Sequence, residues 1–149
     1  MNKYKKLIYF LPSSIWMVVI FLFSNEPAEL SNQNNFFVAD ILRRCKITLF
    51  KYIDYNFLNF LIRKAAHITE YFILFMLLYF ALKKTLYKKP KVKAAIITVL
   101  YACTDEFHQL FVPGREGRIR DVFIDSIGIF IGLFLIYMFK FIKKYRKKG

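Results

Sequence analysis

Four long stretches of mainly apolar residues divide the chain, at about residues 7–23, 65–82, 94–112 and 122–142. An α-helix rises about 1.5 Å per residue, so each stretch is long enough to cross most or all of a hydrocarbon core of about 30 Å. The pattern predicts an all-α polytopic membrane protein. We expect one domain over residues 1–149, built as a bundle of four transmembrane helices.

A fifth segment, residues 36–60, has apolar residues at spacings of four and three. Its predicted apolar face consists of Phe37, Ile41, Cys45, Leu49, Ile53, Phe57 and Phe60. This spacing is typical of an amphipathic helix, or a helix pair, that lies on the membrane surface. Packing on the helix bundle as a lid is the alternative. The polar residues 24–35 before it predict a surface loop or a short capped helix.

The composition supports the membrane interpretation. The chain is 57% apolar and 19% aromatic with a mean hydropathy of +0.35, which is more apolar than an ordinary soluble domain.

The net charge of +14 would suggest nucleic-acid binding in a soluble protein, but its distribution indicates membrane topology instead. Fifteen of the 24 basic residues lie in three acid-free segments, before the first helix, between the second and third, and after the fourth: Lys3, Lys5, Lys6, Lys83, Lys84, Lys88, Lys89, Lys91, Lys93, Lys140, Lys143, Lys144, Arg146, Lys147 and Lys148. The positive-inside rule then places both termini in the cytoplasm and segment 36–60 on the outer face. We expect membrane lipid, and no nucleic acid, as a partner.

Ionisable residues interrupt the second helix at regular spacing. Arg63, His67 and Glu70 follow each other at intervals of four and three residues, so they share one helical face. One charged residue at the centre of a membrane helix costs about 2.5–3.5 kcal/mol on insertion scales. Intramembrane ionisable groups therefore indicate a functional site, provided that partners are available.

The third and fourth helices carry matching polar faces near the same membrane side. Asp105, Glu106, His108 and Gln109 end the third helix, and Asp121 and Asp125 begin the fourth, with Arg115, Arg118 and Arg120 between them. We expect the three polar faces to meet at the outer mouth, where the arginines reach the carboxylates. Gly128 and Gly132 on the fourth helix predict close approach of another helix, which would allow an oligomer through this face.

Two short motifs also fit a metal ion. HITE and DEFH each place a histidine three residues from an acid, so both side chains can reach one ion from a helix. Such pairs are common by chance, and the sequence assigns neither a metal nor a cofactor.

The chain resembles the VanZ-like family of small bacterial membrane proteins in three stretches, FSNEPAE, RKAAHITEY and TDEFHQLFVPGREGRIRDVFID. The similarity covers nearly the whole chain. The family's polar positions correspond here to Lys64, His67, Glu70, Tyr71, Asp105, Glu106, His108, Gln109, Arg115, Asp121 and Asp125. The resemblance implies a bacterial cytoplasmic membrane protein linked to low-level resistance against lipophilic glycopeptides, teicoplanin above all.

Three functions are compatible with this polar site. In the first, it acts on a lipid-linked or anionic envelope substrate, with candidate catalytic residues His67, Glu70, Asp105, Glu106 and His108. The candidate substrate-binding residues are Arg63, Lys64, Tyr71, Gln109, Arg115, Asp121 and Asp125. In the second, the site binds a lipid, an envelope precursor or a lipoglycopeptide without chemistry. In the third, the polar groups are a network that only fixes helix packing.

Overall fold

The computed structural model of the protein describes residues 3–44 and 53–146, and every regular element in these two ranges is an α-helix. In chain order the helices are α1 (Lys3–Ile8), α2 (Leu11–Ser24), α3 (Ala28–Arg44), α4 (Tyr55–Lys84), α5 (Pro90–Gln109) and α6 (Ile119–Tyr145). The all-α prediction is confirmed.

Within the described residues, three segments are long and apolar enough to cross a membrane: Lys6–Ser24, Tyr55–Lys84 and Ile119–Tyr145. Their outward faces are apolar, since Phe130, Phe134 and Phe139 of α6 are 67%, 62% and 72% exposed. An exposed aromatic surface of this extent is unusual in a soluble monomeric protein. Helix α5 does not qualify by composition, because its lysines and acids interrupt every long apolar window. Its crossing of the membrane stays a prediction.

The helix boundaries differ from the predicted ones because caps and turns set them. Helix α4 begins at Tyr55 because the Asp54 carboxylate accepts hydrogen bonds from the backbone N–H groups of Asn56 and Phe57, at 2.9 and 3.2 Å. Residues 55–60 therefore belong to this long helix and not to a separate surface segment. Helix α5 ends at Gln109, three residues before the predicted end, because the chain turns there toward Pro113.

The predicted outer segment 36–60 is divided in the structure. Its first part belongs to α3, which starts at Ala28 and so also takes up most of the polar stretch predicted as a loop or short helix. The middle part, residues 45–52 with Cys45 and Leu49, lies outside the described residues. Helix α3 packs along α4, and the Asn59 side chain of α4 donates to the Asn32 side chain of α3 at 3.0 Å.

Helix α4 is the centre of the bundle and packs against α2, α3, α5 and α6. Its residues Tyr71, Leu74 and Phe75 are completely buried. The closest helix contact is with α6, where a Cβ on Gly128 would lie 2.3 Å from the backbone oxygen of Ile68. The close approach predicted by the glycine pair is therefore made by α4 of the same chain.

Candidate functional site

Two neighbouring cavities lie toward one end of the bundle, where the first half of α3, residues 60–70 of α4, the end of α5 and the start of α6 meet. The larger has a volume of about 350 Å³ and is lined mainly by charged and amide side chains: Asn32, Arg63, Lys64, His67, Glu106, Gln109, Arg115, Glu116, Arg118, Arg120 and Asp121. The smaller, of about 230 Å³, is lined among others by Glu26, Ser31, Asn34, Asn35, Arg63, His67, Glu70 and Arg115. Arg63, His67 and Arg115 line both cavities.

A nearly buried ion pair joins α4 to α6 at the wall of the larger cavity. The Lys64 Nζ lies 2.7 Å from the Asp121 Oδ1, and the two side chains are only 16% and 13% exposed. Asp121 lies in the first turn of α6, where the helix dipole favours a negative charge. The pair fixes the separation of the two helices beside the cavity.

His67 links the cavity to buried acids on two other helices. Its Nδ1 lies 3.6 Å from the Asp125 Oδ1, and the Asp125 side chain is 1% exposed. Glu106 of α5 is also buried, and its Oε2 accepts a hydrogen bond from the backbone N–H of Arg118 at 2.9 Å. Three helices thus bring a histidine and two carboxylates together, a donor set that suits a metal ion.

Asp105 belongs to a second buried group next to the first. The Tyr71 hydroxyl donates to the Asp105 Oδ2 at 3.0 Å, and the Gln109 amide donates to the same oxygen at 3.3 Å. Gln109 also lines the larger cavity, so this group connects the cavity to the hydrophobic core around Tyr71.

The two remaining catalytic candidates, Glu70 and His108, lie in different parts of the structure. Glu70 lines the smaller cavity, and its backbone oxygen accepts a hydrogen bond from the Trp16 indole at 3.0 Å. His108 instead faces α2, where its Nε2 lies 3.2 Å from the Asn25 Oδ1 and its ring packs 4.8 Å from that of Phe21. The structure therefore brings Glu70 to the cavities and keeps His108 apart from them.

The arginines of the loop after α5 have different partners from those expected. The Arg115 Nε and Nη2 donate to the backbone oxygens of Glu26 and Phe23 at 2.8 and 2.9 Å. Arg115 therefore donates to one carbonyl in the last turn of α2 and to one just after the helix ends. Burial, together with nearby Arg63, lowers the pKa of the Arg115 guanidinium from its usual value. Arg118 pairs with Glu116 and not with an acid of the bundle.

Several cavity residues were missed from the sequence. Asn32 lines the larger cavity, and Ser31, Asn34 and Asn35 line the smaller one. All four belong to the run SNQNN. A cluster of amides next to a membrane helix was the available signal. The stretch was predicted only as a surface loop or a short capped helix, without a role in lining a cavity.

An apolar groove runs between α5 and α6 next to the larger cavity. Its volume is about 480 Å³, and it is lined mainly by Val99, Cys103, Phe107, Leu110, Ile119, Val122 and Phe123. Glu106 and Arg118 line both this groove and the larger cavity. A polar compartment and an apolar one therefore share a boundary.

Comparison with protein families gives one finding. A family model described as VanZ/LLP1 matches residues 9–140, which is most of the chain. Comparison with curated proteins and with solved structures finds no match.

Proposed function

The chain belongs to the VanZ/LLP1 family, and from this premise we propose that its polar cavity binds the anionic head group of a lipid-linked envelope substrate. The observation that carries the proposal is the boundary shared by the larger cavity and the apolar groove at Glu106 and Arg118. An amphiphile needs both compartments side by side, one for its charged head and one for an acyl or prenyl chain. A small soluble metabolite needs only the first.

The charge of the cavity favours a phosphate or pyrophosphate head group. Five cationic side chains line the larger cavity: Arg63, Lys64, Arg115, Arg118 and Arg120. Lys64 and Arg118 are paired with acids, and Arg115 donates to carbonyl groups. Arg63 lines both cavities, so it is the cation that we assign to the incoming anion. Arginine suits this role because its planar group donates two parallel hydrogen bonds to a phosphate.

We assign proton transfer to His67, which lines both cavities and lies beside the buried Asp125 carboxylate. Histidine is the side chain that most often acts as a general acid or base. Glu70 lines the smaller cavity and is the second candidate for this role. Asp105 and Glu106 are hydrogen-bonded within the bundle, and we assign them to holding the cavity in shape.

The charge distribution supports a specific membrane arrangement. We propose a multi-pass protein of the bacterial cytoplasmic membrane, with both termini and the lysine-rich loop between α4 and α5 in the cytoplasm. The cavities lie at the other end of α4 from Lys83 and Lys84, so they would open toward the outer leaflet. The link to teicoplanin resistance implied by the family stays a prediction.

Lipid binding by the purified full-length protein tests the proposal. We expect native mass spectrometry to show one bound dioleoylphosphatidic acid per chain and much weaker binding of dioleoylglycerol, which has the same chains without the phosphate. Arg63→Ala should weaken binding of the phosphate lipid about tenfold or more, because it removes a charge-assisted hydrogen bond.

Lys143→Ala is the matched control, since Lys143 lies near the far end of α6, away from both cavities. Equal binding of the two lipids, or equal losses in the two variants, would reject the proposed head-group site. Chromatography of the recovered lipid distinguishes an enzyme that acts on the lipid from a protein that only binds it. A modified head group indicates an enzyme, and unchanged lipid indicates a binding protein.

A further inference from the structure

We propose that His67, Glu106 and Asp125 form a binding site for one divalent transition-metal ion, of the Zn²⁺ or Mn²⁺ class. The three residues come from α4, α5 and α6, and each offers a ligand atom within 4.8 Å of the other two. The inference goes beyond the proposed lipid function, and it is tested without any lipid substrate.

The three side chains are buried and have unused ligand atoms. Glu106 and Asp125 are 5% and 1% exposed. Among the described residues, the His67 Nδ1 and the Asp125 Oδ2 have no hydrogen-bond partner. A buried polar atom without a partner loses its hydration and gains nothing in return. A bound cation would satisfy both atoms at once.

One of the three ligand separations already matches that of a metal site. A zinc ion with nitrogen and oxygen ligands at about 2.0–2.2 Å holds tetrahedral ligand atoms roughly 3.3–3.6 Å apart. The His67 Nδ1 and the Asp125 Oδ1 are already 3.6 Å apart. Glu106 uses its Oε2 for the backbone N–H of Arg118, which orients the carboxylate and leaves its Oε1 available as a ligand.

The local charges also fit a divalent cation. Two carboxylates balance its two charges, and one imidazole with two carboxylates suits zinc or manganese better than calcium or magnesium. Two of the nearby cations are engaged elsewhere, since Lys64 pairs with Asp121 and Arg115 donates to carbonyls at and just after the end of α2. His67 and Glu106 line the larger cavity, so a ligand entering that cavity would reach the ion.

Metal content of the purified full-length protein tests the assignment. The protein is prepared without a polyhistidine tag, stripped of metal with a chelator and dialysed against Zn²⁺ or Mn²⁺. Its bound metal is then measured by elemental mass spectrometry. We expect about one ion per chain in the native sequence. We expect at least a tenfold loss of bound ion at subsaturating metal in Asp125→Asn and His67→Ala.

His108→Ala is the matched control, because His108 lies against α2 and outside the cluster. It should keep the full metal content. Less than a tenth of an ion per native chain, or equal loss in His108→Ala and His67→Ala, would overturn the assignment.

Thermal unfolding with and without metal provides a second test if Asp125→Asn or His67→Ala does not fold. Saturating Zn²⁺ or Mn²⁺ should raise the unfolding temperature of the native and His108→Ala proteins, because the ion binds only the folded state. No rise in either protein would overturn the assignment. If the protein binds the metal ion but not phosphatidic acid, the lipid function alone is rejected. If it binds phosphatidic acid but no metal ion, the metal site alone is rejected.

Discussion

In thermal unfolding of the purified protein, Gly128→Ala is expected to melt at a much lower temperature than the native sequence. The added Cβ would lie 2.3 Å from the backbone oxygen of Ile68 and 2.6 Å from the backbone nitrogen of Phe72. Backbone atoms of a central helix cannot rotate away, so α4 and α6 must move apart. Overpacking of a well-packed interior costs about 1–3 kcal/mol, and contact with backbone places this variant at or above the upper end.

Gly132→Ala is the control for this first prediction. Its Cβ would meet the ring of Phe75 at 2.5 Å, a side chain and not backbone. A ring shift can relieve part of the contact, so we expect a smaller fall in unfolding temperature. Equal stability of Gly128→Ala and the native sequence would contradict the packing of α4 on α6, and with it the position of the cavity wall.

The second large effect is expected at the ion pair of Lys64 and Asp121. Lys64→Met leaves the Asp121 carboxylate nearly buried without its partner. Removing one partner of a buried pair costs about 3–5 kcal/mol, whereas replacing both by apolar residues is often neutral. The double variant with Lys64→Met and Asp121→Leu should therefore regain most of the unfolding temperature lost in the single variant.

The same double variant separates a binding site from a packing network. If the cavity binds the lipid head group through Arg63, the restored protein should bind phosphatidic acid about as well as the native sequence, and adding Arg63→Ala should weaken that binding at least tenfold. Equal binding with and without Arg63→Ala would favour the packing network. Arg44→Met provides the control, because the Arg44–Asp40 pair is 79% and 45% exposed. An exposed pair of this kind contributes about 0.5 kcal/mol or less.

Helical periodicity predicted that the polar faces of three helices would meet, and the structure places residues from all three around one cavity. They include Lys64 and His67 of α4, Glu106 of α5 and Asp121 of α6. The physical reason is general, since polar faces within apolar helices can avoid lipid only by facing each other. Their residue numbers and the shared membrane side were therefore enough to predict that they meet.

Helical periodicity could not show which residue each polar side chain would contact. Asp105 and His108 are three residues apart, about 60° around the helix. That angle is enough to direct Asp105 toward Tyr71 of α4 and His108 toward Asn25 after α2. Likewise, the sequence could not show that Arg115 would donate to carbonyls at the end of α2, because every helix end offers such acceptors.

The position of a bound phosphate in an experimental structure is the decisive test of the proposed head-group site. The full-length protein would be solved with dioleoylphosphatidic acid in a bilayer of neutral lipid. We expect phosphate density in the larger cavity within hydrogen-bonding distance of Arg63, with an acyl chain in the groove beside Cys103. Phosphate density only at the lysine-rich end near Lys83 and Lys143, with none in the cavity, would contradict it.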